Sequence, residues 1–136
     1  MRIGNKEISG FAALAPMAGV ADRAMREICV RFGAAFTVGE LTSAKGITLN
    51  DKKSASLLTC SERERPFASQ IFGSVPEIMA DAARAAVRFS PDFIDIDSKN
   101  SLYYIFMKNF FKFITNCRNR KCNHGIAALR KLSNLI

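Results

Sequence analysis

Short runs rich in apolar residues alternate with amphipathic stretches over residues 11–97. The runs predict four strands, at residues 11–15, 35–38, 67–72 and 92–97, and the first has the composition of a fully buried parallel strand. Between the runs, apolar residues recur at helical spacing and predict helices over residues 21–32 and from residue 76 onward. Residues 52–58 predict a further short helix.

The two longer helices are expected to bury one face each. In the first, the apolar face comprises Ala21, Ala24, Met25, Ile28 and Phe32, and the polar face comprises Arg23, Arg26, Glu27 and Arg31. The second is expected to bury Met79, Ala82, Ala83 and Ala86, and to expose Asp81, Arg84 and Arg88. Gly33 predicts a left-handed cap after the first helix, and Ser74 with Glu77 predicts a capping box before the second.

The order of elements predicts an α/β fold. The strands begin about every 25–30 residues, which matches one unit of a TIM (β/α)8 barrel. About four strands and three helices would then form the N-terminal half of such a barrel. A doubly wound sheet has the same alternation, so periodicity leaves both architectures open.

Charge divides the chain into two segments. Residues 1–97 hold all 12 acidic and 12 of the 20 basic residues, whereas residues 98–136 hold the other 8 basic residues and no acid. Both tyrosines and 4 of the 11 phenylalanines lie within residues 101–115. We therefore expect residues 1–97 to form a partial domain, and residues 98–136 to form a divergent basic, aromatic tail outside that fold.

Composition also limits the cellular setting. The sequence has no apolar stretch of about 18 residues and no apolar run at its start, so we expect a cytoplasmic protein without a membrane partner. The four cysteines form no CxxC pair and are expected to be reduced thiols, with Cys29 buried in a helix and Cys60 without a partner. No metal site is predicted.

Four segments resemble tRNA-dihydrouridine synthases, most closely the bacterial B-type branch. They are Leu-Ala-Pro-Met-Ala-Gly-Val-Ala-Asp-Arg at 14–23, Thr-Val-Gly-Glu-Leu-Thr-Ser-Ala-Lys at 37–45, the third strand with its flanks at 64–74, and Asp-Phe-Ile-Asp-Ile at 92–96. The order and spacing of these segments also match. The resemblance implies FMN-dependent, NADPH-driven reduction of uridine to 5,6-dihydrouridine in tRNA.

The resemblance also assigns residues to the cofactor. It implies that Pro16, Met17, Ala18 and Gln70 bind FMN, and it places Glu40 near the pocket. Small residues after a strand allow the backbone to approach a flat ring, although a plain tight turn has the same composition. An amide such as that of Gln70 can both donate to and accept from the polar edge of a flavin. Lys45 also matches a family-like position, but a solvated loop lysine is the favoured interpretation.

The sequence departs from this family at the end of the fourth strand. There the family continues through Asn-Met-Gly-Cys-Pro, whereas this chain reads Asp-Ser-Lys-Asn-Ser at 97–101. Asn100 occupies the position of the family's proton-donating Cys, and an amide is no comparable acid, so no catalytic residue is assigned. We also expect the family's later phosphate-binding loops and its helical tRNA-binding domain to be missing. We expect weak or absent FMN binding and an inactive fragment.

Other interpretations stay open at this point. The chain could be a non-catalytic RNA-binding fragment that uses its basic tail, or another FMN-dependent barrel oxidoreductase. For residues 98–136 a translated frameshift or truncated gene is favoured over an RNA-binding tail, a metal site at Cys117, Cys122 and His124, and a membrane-surface helix. The unpaired strand edges of half a barrel, with the uncharged residues 102–107, predict self-association.

Overall fold

The computed structural model describes residues 2–3 and 6–98. They form an α/β fold that consists of a parallel sheet, its helices and a small antiparallel hairpin. The strands are β1 (Arg2–Ile3), β2 (Lys6–Glu7), β3 (Thr37–Val38), β4 (Thr42–Ser43), β5 (Phe67–Gly73) and β6 (Phe93–Ser98). The helices are α1 (Arg23–Arg31), α2 (Ala44–Thr48), α3 (Lys52–Leu57) and α4 (Pro76–Ala86), with 3₁₀ turns at Glu62–Glu64 and Val87–Phe89. The α/β prediction is confirmed, whereas the half-barrel stays a prediction.

Strand β5 is the centre of the parallel sheet. One of its edges pairs with β6 from Ala68↔Phe93 to Gly73↔Ser98. The other edge pairs with β3 at Val38↔Ala68 and with β4 at Thr42↔Ile71. The chain therefore advances four positions from Val38 to Thr42 but only three from Ala68 to Ile71. We conclude that β3 and β4 are two parts of one strand that is interrupted by a one-residue bulge.

The first predicted strand is reduced to a single parallel bridge, Leu14↔Thr37. It is supported by bonds from Leu14 N–H to Phe36 O and from Val38 N–H to Leu14 O, both 3.1 Å. Residues 11–20 are exposed apart from the half-buried Leu14. The prediction of a fully buried strand at 11–15 is thus wrong, because within the described residues this segment pairs along one edge only.

The main core lies between the sheet and the helices. Ile71 of β5 and Ile94 of β6 pack with α4 and α2 in one cluster, whose α4 members are Met79, Ala82, Ala83 and Ala86. Because three of these are alanines, α4 can lie close to the sheet. The predicted buried and exposed faces of α4 are both confirmed, with Asp81 and Arg84 exposed on the helix and Arg88 exposed in the 3₁₀ turn that follows it.

A smaller cluster covers the opposite face of the sheet. It contains Ile8, Val38, Ala68 and Phe93, with Ile3 of the β1–β2 hairpin packed against it. The hairpin was not among the predicted elements, since its two-residue strands are too short to show a hydrophobic period. It closes this face at the end where the parallel strands begin, because Phe93 is the first residue of β6.

Local sequence predicted one helix boundary correctly and one incorrectly. After α1, Gly33 has a φ of +96°, and bonds from Gly33 N–H to Val30 O and from Ala34 N–H to Cys29 O complete the expected cap. The capping box at Ser74 is wrong, because the N-cap of α4 is Val75 and no side chain caps it. Pro76, at the first helical position, has the fixed φ that starts a helix there.

The predicted faces of α1 are also partly wrong. Arg26, assigned to the polar face, is the buried residue of this helix, whereas Ile28 and Phe32 are exposed. An ion pair with the buried Glu64 accounts for the burial of Arg26.

Three further expectations have different outcomes. The short helix at 52–58 is confirmed as α3, while α2 was not predicted. No helix among the described residues is long and apolar enough to cross a membrane. The predictions for residues 99–136, including the tail, its alternatives and the position of Asn100, lie outside the described residues.

Candidate functional site

The register of the parallel strands places the candidate residues at one edge of the sheet. Leu14 is level with Thr37, and Thr37 is level with Phe67. The loop with Pro16, Met17 and Ala18 therefore follows this row directly, and Gln70 lies three residues, or about 10 Å, beyond Phe67. Both positions lie toward the carboxyl ends of the strands, where parallel α/β folds place their ligands.

The loop after Leu14 is an exposed tight turn. The carbonyl oxygen of Met17 accepts from Val20 N–H at 3.1 Å and from Ala21 N–H at 2.8 Å. Gly19 has a φ of +74°, and a Cβ added there would meet nothing within 4 Å, so backbone conformation rather than space favours glycine. The loop presents backbone and the side chains of Pro16, Met17 and Ala18 to solvent at this edge.

Glu40 connects this loop to the second strand. It lies in the bulge between β3 and β4, and its Oε2 accepts a 2.6 Å hydrogen bond from Gly19 N–H. A bulge often re-aims a side chain, and here the carboxylate of Glu40 reaches the exposed turn. Thr42 Oγ1 in turn donates to the carbonyl oxygen of Glu40 at 3.0 Å. Within the described residues, no hydrogen bond joins the loop directly to Gln70.

Gln70 has a specific partner on the neighbouring strand. Gln70 and Asp95 are register partners, and Gln70 Nε2 donates to Asp95 Oδ2 at 2.9 Å. Both lie on the face of the sheet that also holds Ala68 and Phe93, since side chains alternate along a strand. Among the residues that the structure describes, no group donates a hydrogen bond to Gln70 Oε1. This carbonyl oxygen is available to a ligand.

The electrostatic environment of Asp95 is unfavourable to its charge. Burial, above all, raises the pKa of this carboxyl, and the negative charge of Asp97 raises it further. The hydrogen bond from Gln70 acts in the opposite direction without cancelling these effects. Asp95 was not singled out from the sequence, although a carboxylate between Ile94 and Ile96 in a buried strand is unusual enough to mark it.

A buried ion pair holds α1 against the sheet behind this site. Arg26 donates to Glu64, to Ala21 O at 2.8 Å and to Thr59 O at 3.0 Å. Its guanidinium lies 4.7 Å from the centre of the Phe67 ring. The helix that follows the exposed loop is therefore fixed to the central strand by a charged side chain.

Two other groups considered from the sequence carry no site. Lys45 lies exposed in α2, on a helix rather than in a loop. Cys29 and Cys60 are free and half-buried, and burial raises the pKa of the Cys60 thiol, which lowers its reactivity. Among the described residues, no group of His, Cys, Asp and Glu could hold a metal ion.

Comparison with known proteins gives one consistent family. A family model described as dihydrouridine synthase (Dus) matches residues 13–98. The tRNA-dihydrouridine synthase B proteins of Vibrio parahaemolyticus and Shewanella oneidensis are each 39% identical to this chain over 97 residues, 71% of the chain and 30% of the relative. The Pseudomonas aeruginosa protein of that name is 36% identical over 97 residues. The chain thus spans about 30% of the length of these relatives.

Proposed function

The chain belongs to the dihydrouridine synthase family, and from that premise we propose that residues 13–98 are the opening part of an FMN-binding barrel. The whole enzyme would reduce uridine to 5,6-dihydrouridine in tRNA, in the cytoplasm and with NADPH as reductant. The observation that carries this proposal is the convergence of the 16–18 loop and Gln70 at one edge of a parallel sheet, within the matched residues.

Strand order supports a barrel over a doubly wound sheet. The strands pair in chain order, from the 12–14 segment through β3 and β4 to β5 and β6. Helices α2 and α4 pack on the Ile71 side of the sheet, and Arg26 of α1 lies against Phe67 on that same side. A doubly wound sheet instead reverses its order and carries helices on both faces. We therefore propose the first half of a (β/α)8 barrel.

The residues at this edge fit a flat ring with a polar rim. The exposed turn at 16–19 presents backbone and the side chains of Pro16, Met17 and Ala18, and Gln70 offers an unpaired carbonyl oxygen on a half-buried side chain. We propose that Pro16, Met17 and Ala18 lie against the isoalloxazine ring and that Gln70 binds its polar edge. Glu40 would hold the loop in place through Gly19. Bound FMN would supply the hydride for reduction of the uridine ring.

We further propose that this chain does not itself catalyse the reaction. Asn100 stands where the family has its Cys, and an amide cannot protonate the pyrimidine as a thiol does. Residues 99–136, which carry 8 basic residues and no acid, would be a separate segment rather than a continuation of the fold.

Flavin binding and turnover test these proposals separately. Titration of the full chain with FMN, followed by flavin fluorescence, should show weak but saturable binding. Gln70→Ala should lower the affinity about tenfold or more, since a ligand hydrogen bond is lost, whereas the exposed Glu77→Ala should not change it. Absence of binding at millimolar FMN would reject the cofactor proposal.

Incubation with FMN, NADPH and tRNA lacking the modification should yield no dihydrouridine. Product formation would refute the inactive assignment. Salt-sensitive tRNA binding without any flavin binding would instead favour an RNA-binding fragment.

Self-association is part of the same proposal. Phe11, in the segment that pairs along one edge only among the described residues, and Phe32, at the end of α1, are both exposed. Such apolar surface favours association between copies. We expect sedimentation velocity to show oligomers that dissociate when both phenylalanines are replaced by serine. A wild-type monomer at high concentration would contradict this expectation.

A further inference from the structure

The Gln70–Asp95 pair lies within the candidate site and has a defined geometry. The two residues are directly opposite in the parallel register of β5 and β6, on the same face of the sheet. Gln70 Nε2 lies 2.9 Å from Asp95 Oδ2. Asp95 is the third of the six residues of β6 and is level with Gln70, three residues beyond the row of Phe67 that the 16–19 loop also follows.

The chemistry of the pair fixes the orientation of the amide. An ionised carboxylate only accepts hydrogen bonds, so it must face the NH2 group of a neighbouring amide and not its oxygen. Rotation of the Gln70 amide by half a turn would bring two acceptors, Oε1 and Oδ2, together without a proton between them. The orientation is therefore a consequence of the charge on Asp95 and not of packing alone.

We propose that Asp95 is a positioning residue that holds Gln70 with its carbonyl oxygen toward the flavin, where it accepts from the single imide N–H of the isoalloxazine ring. This inference rests on the proposed FMN site. The polar edge of the ring otherwise presents carbonyl oxygens, so this N–H is the donor that the carbonyl oxygen of Gln70 can recognise. Without Asp95, Gln70 could present its NH2 group equally well, and the match to the imide would be lost.

The negative charge of Asp95 lowers the stability of the folded state. Burial raises the pKa of Asp95, and Asp97 on the same strand adds to the rise. An uncharged Asn would avoid this penalty while preserving the shape of the side chain. An acid in this position is therefore better explained by the orientation that it imposes than by stability.

An isosteric exchange of the two groups tests the proposal. Asp95→Asn and Gln70→Glu are each expected to weaken FMN binding about tenfold, because the pair then has an undefined orientation or two opposed acids. In the double variant, the amide introduced at position 95 donates to one oxygen of the carboxylate introduced at position 70, while the other oxygen accepts from the imide N–H. Binding should therefore return to within about threefold of wild type. A double variant as weak as Gln70→Glu would overturn the proposal.

A matched control separates positioning from general damage. Asp81→Asn makes the same chemical change at an exposed position of α4 and should leave FMN affinity unchanged. Asp95→Asn should raise the urea midpoint of unfolding at neutral pH even as it weakens binding. A variant that loses binding and stability together would indicate a merely structural role.

A flavin-free measurement keeps this inference distinct from the proposed function. The side-chain amide resonances of Gln70, assigned with Gln70→Ala, should shift with pH as Asp95 titrates. The transition should vanish in Asp95→Asn and persist in Asp81→Asn. If wild type binds no FMN but shows this transition, the cofactor proposal fails while Asp95 still orients Gln70. If the Gln70 amide resonances do not change with pH, the inference is overturned, whether or not the chain binds FMN.

Discussion

The β5–β6–α4 layer and the 11–32 segment are stabilised in different ways. In the former, apolar side chains such as Ile71 and Ala82 are 0% exposed and interlock across the sheet. In the latter, Phe11, Ile28 and Phe32 are exposed, and the segment is attached by a strand bridge and a few polar bonds. The candidate FMN contacts at 16–18 lie in the weakly packed part and Gln70 in the strongly packed part. The candidate site thus combines an exposed loop with a buried central strand.

The largest effect is expected at the buried ion pair between α1 of the 11–32 segment and the 3₁₀ turn that precedes β5. Glu64→Ala leaves Arg26, 3% exposed, as a buried unpaired charge on α1. Removing one partner of a buried ion pair costs about 3–5 kcal/mol, so urea unfolding followed by circular dichroism should show a loss of that size. The exposed pair of Asp81 and Arg84 is the control, because Arg84→Gln should cost less than about 1 kcal/mol.

The same Ile→Ala substitution in each of the two parts should measure directly how differently they are packed. Ile71 is 0% exposed and Ile28 is 46% exposed. Ile71→Ala should lower the free energy of unfolding by about 2–5 kcal/mol, because it removes apolar contacts and leaves a cavity. Ile28→Ala should change it by no more than about 0.5 kcal/mol. Similar losses in the two variants would mean that the 11–32 segment is packed as tightly as the core.

Acid should weaken the attachment of the N-terminal hairpin. Although burial raises the pKa of Asp92, hydrogen bonds from Lys6 and from Phe67 N–H lower it below its ordinary value of 3.8 overall. Its stabilising contribution is therefore present above about pH 3.8 and lost as the pH falls through the depressed pKa. Unfolding of wild type and Asp92→Asn should differ most at neutral pH and converge in acid. A difference that is independent of pH would contradict this assignment.

The smallest effect is expected at a buried hydroxyl in the packed layer. Ser69 Oγ in β5 has no hydrogen-bond partner among the described residues. Ser69→Ala removes an unsatisfied polar atom and should raise the free energy of unfolding by about 0–1 kcal/mol. Calorimetric melting should show an unchanged or higher midpoint. A clear decrease would indicate that the hydroxyl has a partner, such as a bound water.

Features that depend on neighbouring residues within one helix or strand could be predicted from the sequence. The spacing of Met79, Ala82, Ala83 and Ala86 identified the buried face of α4, and Gly33 identified the end of α1. Sequence reasoning failed where local rules competed, as when Pro76 rather than Ser74 set the start of α4. It also placed Arg26 on the solvent face, because nothing within the helix reveals a partner 38 residues away.

The candidate site shows the same division. Gln70 and the residues at 16–18 were identified through their resemblance to a family, and their roles toward FMN stay proposals. Asp95 was missed because its relation to Gln70 depends on the pairing of two strands, and that pairing spans 25 residues. Glu40 was placed near the pocket, but its bond to Gly19 depends on the bulge between β3 and β4.

Residue order alone establishes the alternation of strands and helices, the buried face of α4 and the charge division at residue 97, because these follow from neighbouring residues and from composition. Folding adds the buried Arg26–Glu64 pair, the bulge that directs Glu40, and the orientation of Gln70 by Asp95. Each of these joins groups that are distant in the sequence. The energies of these interactions depend on burial and on which residues face each other across neighbouring strands. Neither can be read from a short stretch of sequence.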